Sequence, residues 1–149
     1  MKFSKLHLFI ALAVLLAISA CGCTSQSTTL SGEERAQVLA YADPITDNLL
    51  QGYNEYNYTK YSRDFSSQTK NGINESAFAE TRILIASKIG LYQSRADNPV
   101  VTESGDYISV NYKADFQQEQ GVDVRLVFKK GDDSHQLYGL WFNSPKLRS

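Results

Sequence analysis

Two short stretches hold the side chains best suited to chemistry. "GDDSHQ", residues 131–136, places His135 beside Asp132 and Asp133. An imidazole within three residues of two carboxylates has the parts of an acid–base pair or a metal site. The Gly, Asp and Ser around it favour turns for local reasons, so a solvated hairpin turn explains the stretch without any chemistry. "LLAISACGCTS", residues 15–25, holds Cys21 and Cys23, the only two cysteines of the 149-residue chain. The chain beyond Cys23 therefore has neither a disulfide framework nor a thiolate metal site. The two histidines are His7 and His135, so a multi-histidine centre is excluded by counting. There is no G-x-S-x-G, no H-E-x-x-H and no phosphate-binding glycine loop. No residue set supplies a nucleophile, its base and an oxyanion donor together, and no cofactor is implied. The balance leans away from an enzyme.

The cysteines bear on location. Lys2 and Lys5 precede an unbroken apolar run of eleven residues, Leu8 to Ile18. A helix needs about 20 apolar residues to span a bilayer. A positive start, a short apolar middle and small residues at its end mark a secretory signal peptide. Ile18, Ser19, Ala20 and Cys21 resemble the lipobox of prokaryotic lipoproteins. That resemblance implies cleavage before Cys21 and a diacylglyceryl group on its sulfur, with the protein anchored to the cell membrane on the extracytoplasmic face. Two acyl chains hold stably where one does not. Cys23 fits the lipobox poorly and reads as a spectator. The expected division is a signal peptide over 1–20, a polar tether over 21–31 and one domain over 32–149. Beyond residue 20 the chain carries 13 basic and 16 acidic residues with no basic stripe. Nucleic acid is therefore not an expected partner.

The elements follow from periodicity. Ser31 and Glu34 have capping-box spacing. Val38, Ala42, Ile45, Leu49 and Tyr53 then recur every three or four residues, as on one face of a helix. The stripe keeps its phase across Pro44, so one kinked helix is expected. Tyr58, Tyr61 and Phe65 predict a short second helix, with a turn after it at Asn71-Gly72. Asn74 caps a third helix, with Phe78, Ile85 and Ile89 on one face and Gly90 just past its end. The dense tyrosines, Tyr53, Tyr56, Tyr58 and Tyr61, suit either an amphipathic surface or packing onto a sheet. Asn57 and Asn74 also open Asn-X-Ser/Thr triplets, the acceptor pattern of N-glycosylation in a host with that machinery; such triplets are common by chance.

After Gly90 the period becomes two. "GDYISVNYKADFQ" puts Ile108, Val110, Tyr112, Ala114 and Phe116 on one face, and "GVDVRLVFKK" does the same with Val122, Val124, Leu126 and Phe128. "HQLYGLWFN" is apolar on both faces, which predicts a strand covered on both sides. With an earlier strand in 91–102, broken by Pro99, this makes four antiparallel strands.

Helices before an antiparallel meander define an α+β class. The order resembles the cystatin-like cone of the NTF2-like superfamily, in which a curved sheet wraps the helices and often leaves a pocket. The segments "PITDNLLQGYNEYNYTKYSRDFS", "KIGLYQS", "YISVNYKADFQ", "DVRLVF" and "YGLWFNSP" resemble the domain of unknown function family numbered 3887. That likeness covers about residues 35–146. It implies the fold and often a lipoprotein leader, and says almost nothing of activity. The pocket expected from such a cone lies near Tyr112 and Trp141, with Arg125 either at its mouth or simply exposed. The expected role is to bind a small ligand or a protein partner. A small cavity hydrolase or isomerase is the alternative, and a buried Asp or Glu beside Tyr or Arg would favour it.

Overall fold

The computed structural model describes residues 26–149. Cys21, Cys23 and the expected signal peptide lie outside the described residues. Among those described, no helix is long and apolar enough to cross a membrane.

The stripe beginning at Val38 forms one continuous helix, α1, Gly32–Asn54, with Pro44 inside it on the solvent side. Ser31 is its N-cap with extended backbone, but its side chain makes no capping bond. The capping box is thus correct in place and wrong in chemistry. Glu33 and Glu34 in the first turn still oppose the helix dipole. Next come two short helices, α2, Tyr58–Tyr61, and α3, Ser67–Gly72, then the longer α4, Glu75–Ile89. Asn57 and Asn74 cap α2 and α4: their side chains accept from the Lys60 and Ala77 amides, each at 3.0 Å. Gly90 ends α4 with φ of 83°, where a side chain would be strained.

The sheet has six strands among the described residues, not four. They are β1, Thr28–Thr29; β2, Tyr92–Arg95; β3, Val100–Ser104; β4, Tyr107–Phe116; β5, Glu119–Lys129; and β6, Leu137–Asn143. A last short helix, α5, spans Pro145–Arg148. The order is β1-β3-β4-β5-β6, with β2 also paired to β4, and all strand pairs are antiparallel. The single strand expected over 91–102 is therefore two pieces, β2 and β3, laid along the same partner with Pro99 between them. The sixth strand comes from the segment read as tether. Thr28 and Thr29 pair with Glu103 and Thr102, and the Leu30 amide donates to the Val101 carbonyl at 2.9 Å. β-branched threonines suit that position.

The alternating faces of β4 and β5 sort as the sequence predicts. Val110, Tyr112, Ala114, Val122, Val124 and Leu126 are fully buried against the α1 stripe. β6 departs from expectation. It lies at the end of the sheet order, and Trp141 is 55 % exposed. The cause is a register shift: Phe128 faces Leu137, yet Val127 faces Gly139, which leaves Tyr138 as an extra residue. Such a bulge breaks the two-residue period. Leu140 and Phe142, opposite Leu126 and Val124, then pack on the core, while Gly139 and Trp141 share the outer face. The indole lies over Gly139, where a Cβ would come within 2.5 Å of the ring. The free side of β6 is partly covered at Leu137, whose amide donates to the Asp64 carbonyl at 2.8 Å and whose carbonyl accepts from the Ser66 amide at 3.0 Å.

Candidate functional site

The turn from α1 into α2 is tight because Gly52 lets the chain come back against the helix. The Asn57 amide donates to the Gly52 carbonyl at 2.9 Å, and Tyr56 takes the left-handed conformation at φ 55°. This reversal drives Tyr61 inward, where its ring packs 4.5 Å from that of Phe78 on α4. One turn further along α4, Arg82 reaches back to the end of α1. Its Nε donates to the Tyr53 carbonyl at 3.2 Å and its Nη2 to that of Asn54 at 3.4 Å. These are among the last carbonyls of α1, which lack the helix's own i+4 donor, and that of Tyr53 also accepts from the Tyr56 amide at 3.3 Å. The guanidinium also sits 5.5 Å and 5.2 Å from the ring centres of Tyr53 and Tyr56.

Between these helices and β6 lies a pocket of about 130 Å³. Phe78, Ile85, Leu140 and Phe142 supply its apolar walls, and Tyr61 and Arg82 line it as well. Tyr53, Tyr61 and Tyr112 are the three deeply buried tyrosines among the described residues. The Tyr53 hydroxyl donates to the Gly90 carbonyl at 2.9 Å and that of Tyr112 to Asp43 Oδ1 at 2.9 Å. Tyr61, only 6 % exposed, has no hydrogen-bond partner for its hydroxyl among the described residues. Burial pushes its ionisation up, with the Tyr53 hydroxyl adding to the effect, so it stays a protonated donor. Arg82 forms no ion pair among the described residues.

The residues singled out in the sequence lie elsewhere and do not come together. Tyr112 faces α1 on the inner side of the sheet. Arg125 and Trp141 face each other on the outer side, the guanidinium 5.7 Å from the indole and its Nη2 donating to Ser109 Oγ at 2.9 Å. With Asn111 and Asp123 they border an open hollow on the sheet surface. His135 stacks on Tyr41, ring centres 4.0 Å apart, in a broad cleft at the other end of α1. Asp132 there accepts from the Ser134 hydroxyl and from the amides of Ser134 and Gln136, which holds its carboxyl below the usual range. Those bonds build the turn itself. Among the described residues no three His, Cys, Asp or Glu side chains converge to hold a metal ion.

A carboxylate beside Tyr and Arg does exist. Arg95 grips Asp47 through Nε at 2.7 Å and Nη2 at 3.1 Å, and its Nη1 lies 3.4 Å from Asp43, which accepts from Tyr112. Each member has its partner, and the group borders none of these three hollows. It braces α1 against β2 and β4.

The fold and this pocket define a small α+β domain with an apolar recess between its helices and the end strand of its sheet. The family described as protein of unknown function (DUF3887) matches residues 46–140, from within α1 to within β6, and the chain belongs to that family. The matched span includes Gly52, Tyr61, Phe78 and Arg82. No curated protein and no solved structure matches the chain.

Proposed function

We propose that this protein is a membrane-anchored lipoprotein whose extracytoplasmic domain binds a small ligand in the Tyr61 pocket. The sheet and helices act as the wall and filling of a cystatin-like cone, with the pocket at its mouth. The observation that carries the binding role is the Tyr61 hydroxyl. No fully buried side-chain oxygen among the described residues lacks a partner, so the Tyr61 oxygen still meets solvent at the pocket, and an accepting ligand would take up its donor in place of water. A protein partner is the weaker reading, because a recess of about 130 Å³ suits a molecule of benzene size rather than a side-chain cluster. A cavity hydrolase or isomerase is disfavoured, since the Asp43, Asp47 and Arg95 group is internally satisfied and lies away from the pocket.

The test is a thermal-shift screen of small aromatic and aliphatic molecules. A binder should raise the melting temperature by mass action. Tyr61→Phe should remove that shift while leaving the unliganded protein as stable as before or slightly more so. A panel without binders, or binders indifferent to Tyr61→Phe, refutes the role.

The anchor rests on the Ile18–Cys21 lipobox. Cys21→Ser should move the protein from the detergent phase to the aqueous phase, while Cys23→Ser should leave partitioning unchanged. Equal partitioning of both variants with the parent chain refutes the lipid attachment.

A further inference from the structure

Beside the hydroxyls of Tyr53 and Thr81, the pocket holds two donors that are not fully used. The Tyr61 hydroxyl is an unspent donor, and so are the N–H groups of Arg82 that do not cap α1. The half-buried Arg82 contacts two neutral carbonyls and two aromatic ring faces. Its charge is thus unbalanced by any carboxylate among the described residues. Guanidinium is the side chain best matched to a planar carboxylate, through paired N–H groups. Phe78, Ile85, Leu140 and Phe142 leave room for an apolar body, with the exposed Thr81 also on the lining. A volume near 130 Å³ is close to that of a cavity that holds one benzene ring, roughly 150 Å³.

We infer that the pocket selects a small organic carboxylate, with an apolar body of benzene size against Phe78 and Phe142 and its carboxylate accepting from Arg82 and Tyr61. This rests on the pocket being the ligand site and adds the charge of the ligand. A neutral ligand of the same shape would leave the Arg82 cation uncompensated, so the discrimination is electrostatic and falls with salt.

Benzoate and benzamide share shape and differ in charge. Calorimetric titration of the full chain in lipid nanodiscs, with empty nanodiscs as blank, compares them. Benzoate should bind at least about tenfold more tightly than benzamide, the size of effect expected of a charge-assisted pair. Added salt should weaken benzoate alone. Arg82→Gln should remove most of the difference in affinity between benzoate and benzamide. Should that variant loosen the end of α1, the salt series on the parent chain carries the test by itself. Equal affinities for the two probes would overturn the carboxylate inference and leave the pocket as a ligand site. Binding of neither would overturn both.

Discussion

Gly52→Ala is expected to destabilise the domain by about 3 kcal/mol, as an overpacking change with no room to relax. In an exposed helix the same change would stabilise by about 0.5–1 kcal/mol, because glycine is the poorer helix former. The sign reverses here because the new Cβ would sit against the Tyr61 backbone nitrogen, 2.7 Å from Tyr61 Cα and 3.0 Å from the Lys60 carbonyl carbon. All three are main-chain atoms, so no rotamer change removes the clash. Either α2 moves off α1 or the last turn of α1 unwinds. Both displace Tyr61, so ligand-induced stabilisation should vanish along with the lost stability. Urea denaturation monitored by circular dichroism measures the first effect and thermal shift the second. A variant with the parent's midpoint would mean that α2 is not seated on Gly52.

That close approach illustrates what the sequence could and could not reveal. The buried stripe of α1 and the inner faces of β4 and β5 were legible, because one-sided burial imposes a period of 3.6 or 2 on a single segment. The caps at Asn74 and Gly90 were legible for the same local reason, whereas the Asn57 cap was not read. β6 was not. A bulge at Tyr138 shifts the period by one residue, and two apolar faces with a bulge between them look like a strand buried on both sides. β1 escaped notice because two threonines carry no period at all. The pocket was out of reach for another reason. Tyr61 stood within a visible tyrosine cluster, and Phe78 and Arg82 share one face of α4 by spacing. What joins them is the return of the chain over Gly52 and the reach of Arg82 to the end of α1, and both are contacts between distant segments. Tyr112, Arg125 and Trp141 failed as a set because Tyr112 stands on the opposite face of the sheet from the other two.

The second large effect is alkaline unfolding, and it bears on the same hydroxyl. Burial pushes Tyr53 up to about 12, with Arg82 opposing, and it raises Tyr61 and Tyr112 as well. In the unfolded chain tyrosines ionise near pH 10. From about pH 10 upward the unfolded state therefore releases protons that the folded state keeps. The stabilisation is complete below pH 10 and is lost as pH climbs through the folded values, at up to about 1.4 kcal/mol per pH unit for each such tyrosine. The urea midpoint should hold steady through neutral pH and fall steeply from pH 10. Lysines titrate nearby, but they do so in every variant, so the difference between variants isolates each tyrosine. Tyr53→Phe loses its bond to the Gly90 carbonyl and should cost about 1 kcal/mol already at pH 7. Tyr61→Phe surrenders no bond, so it should match or exceed the parent at pH 7 and fall less steeply above pH 10. Parallel pH curves for Tyr61→Phe and the parent would mean that the Tyr61 hydroxyl ionises as it does in water. It would then be as solvated in the folded chain as in the unfolded one, and the recess around it would not be the apolar ligand site proposed.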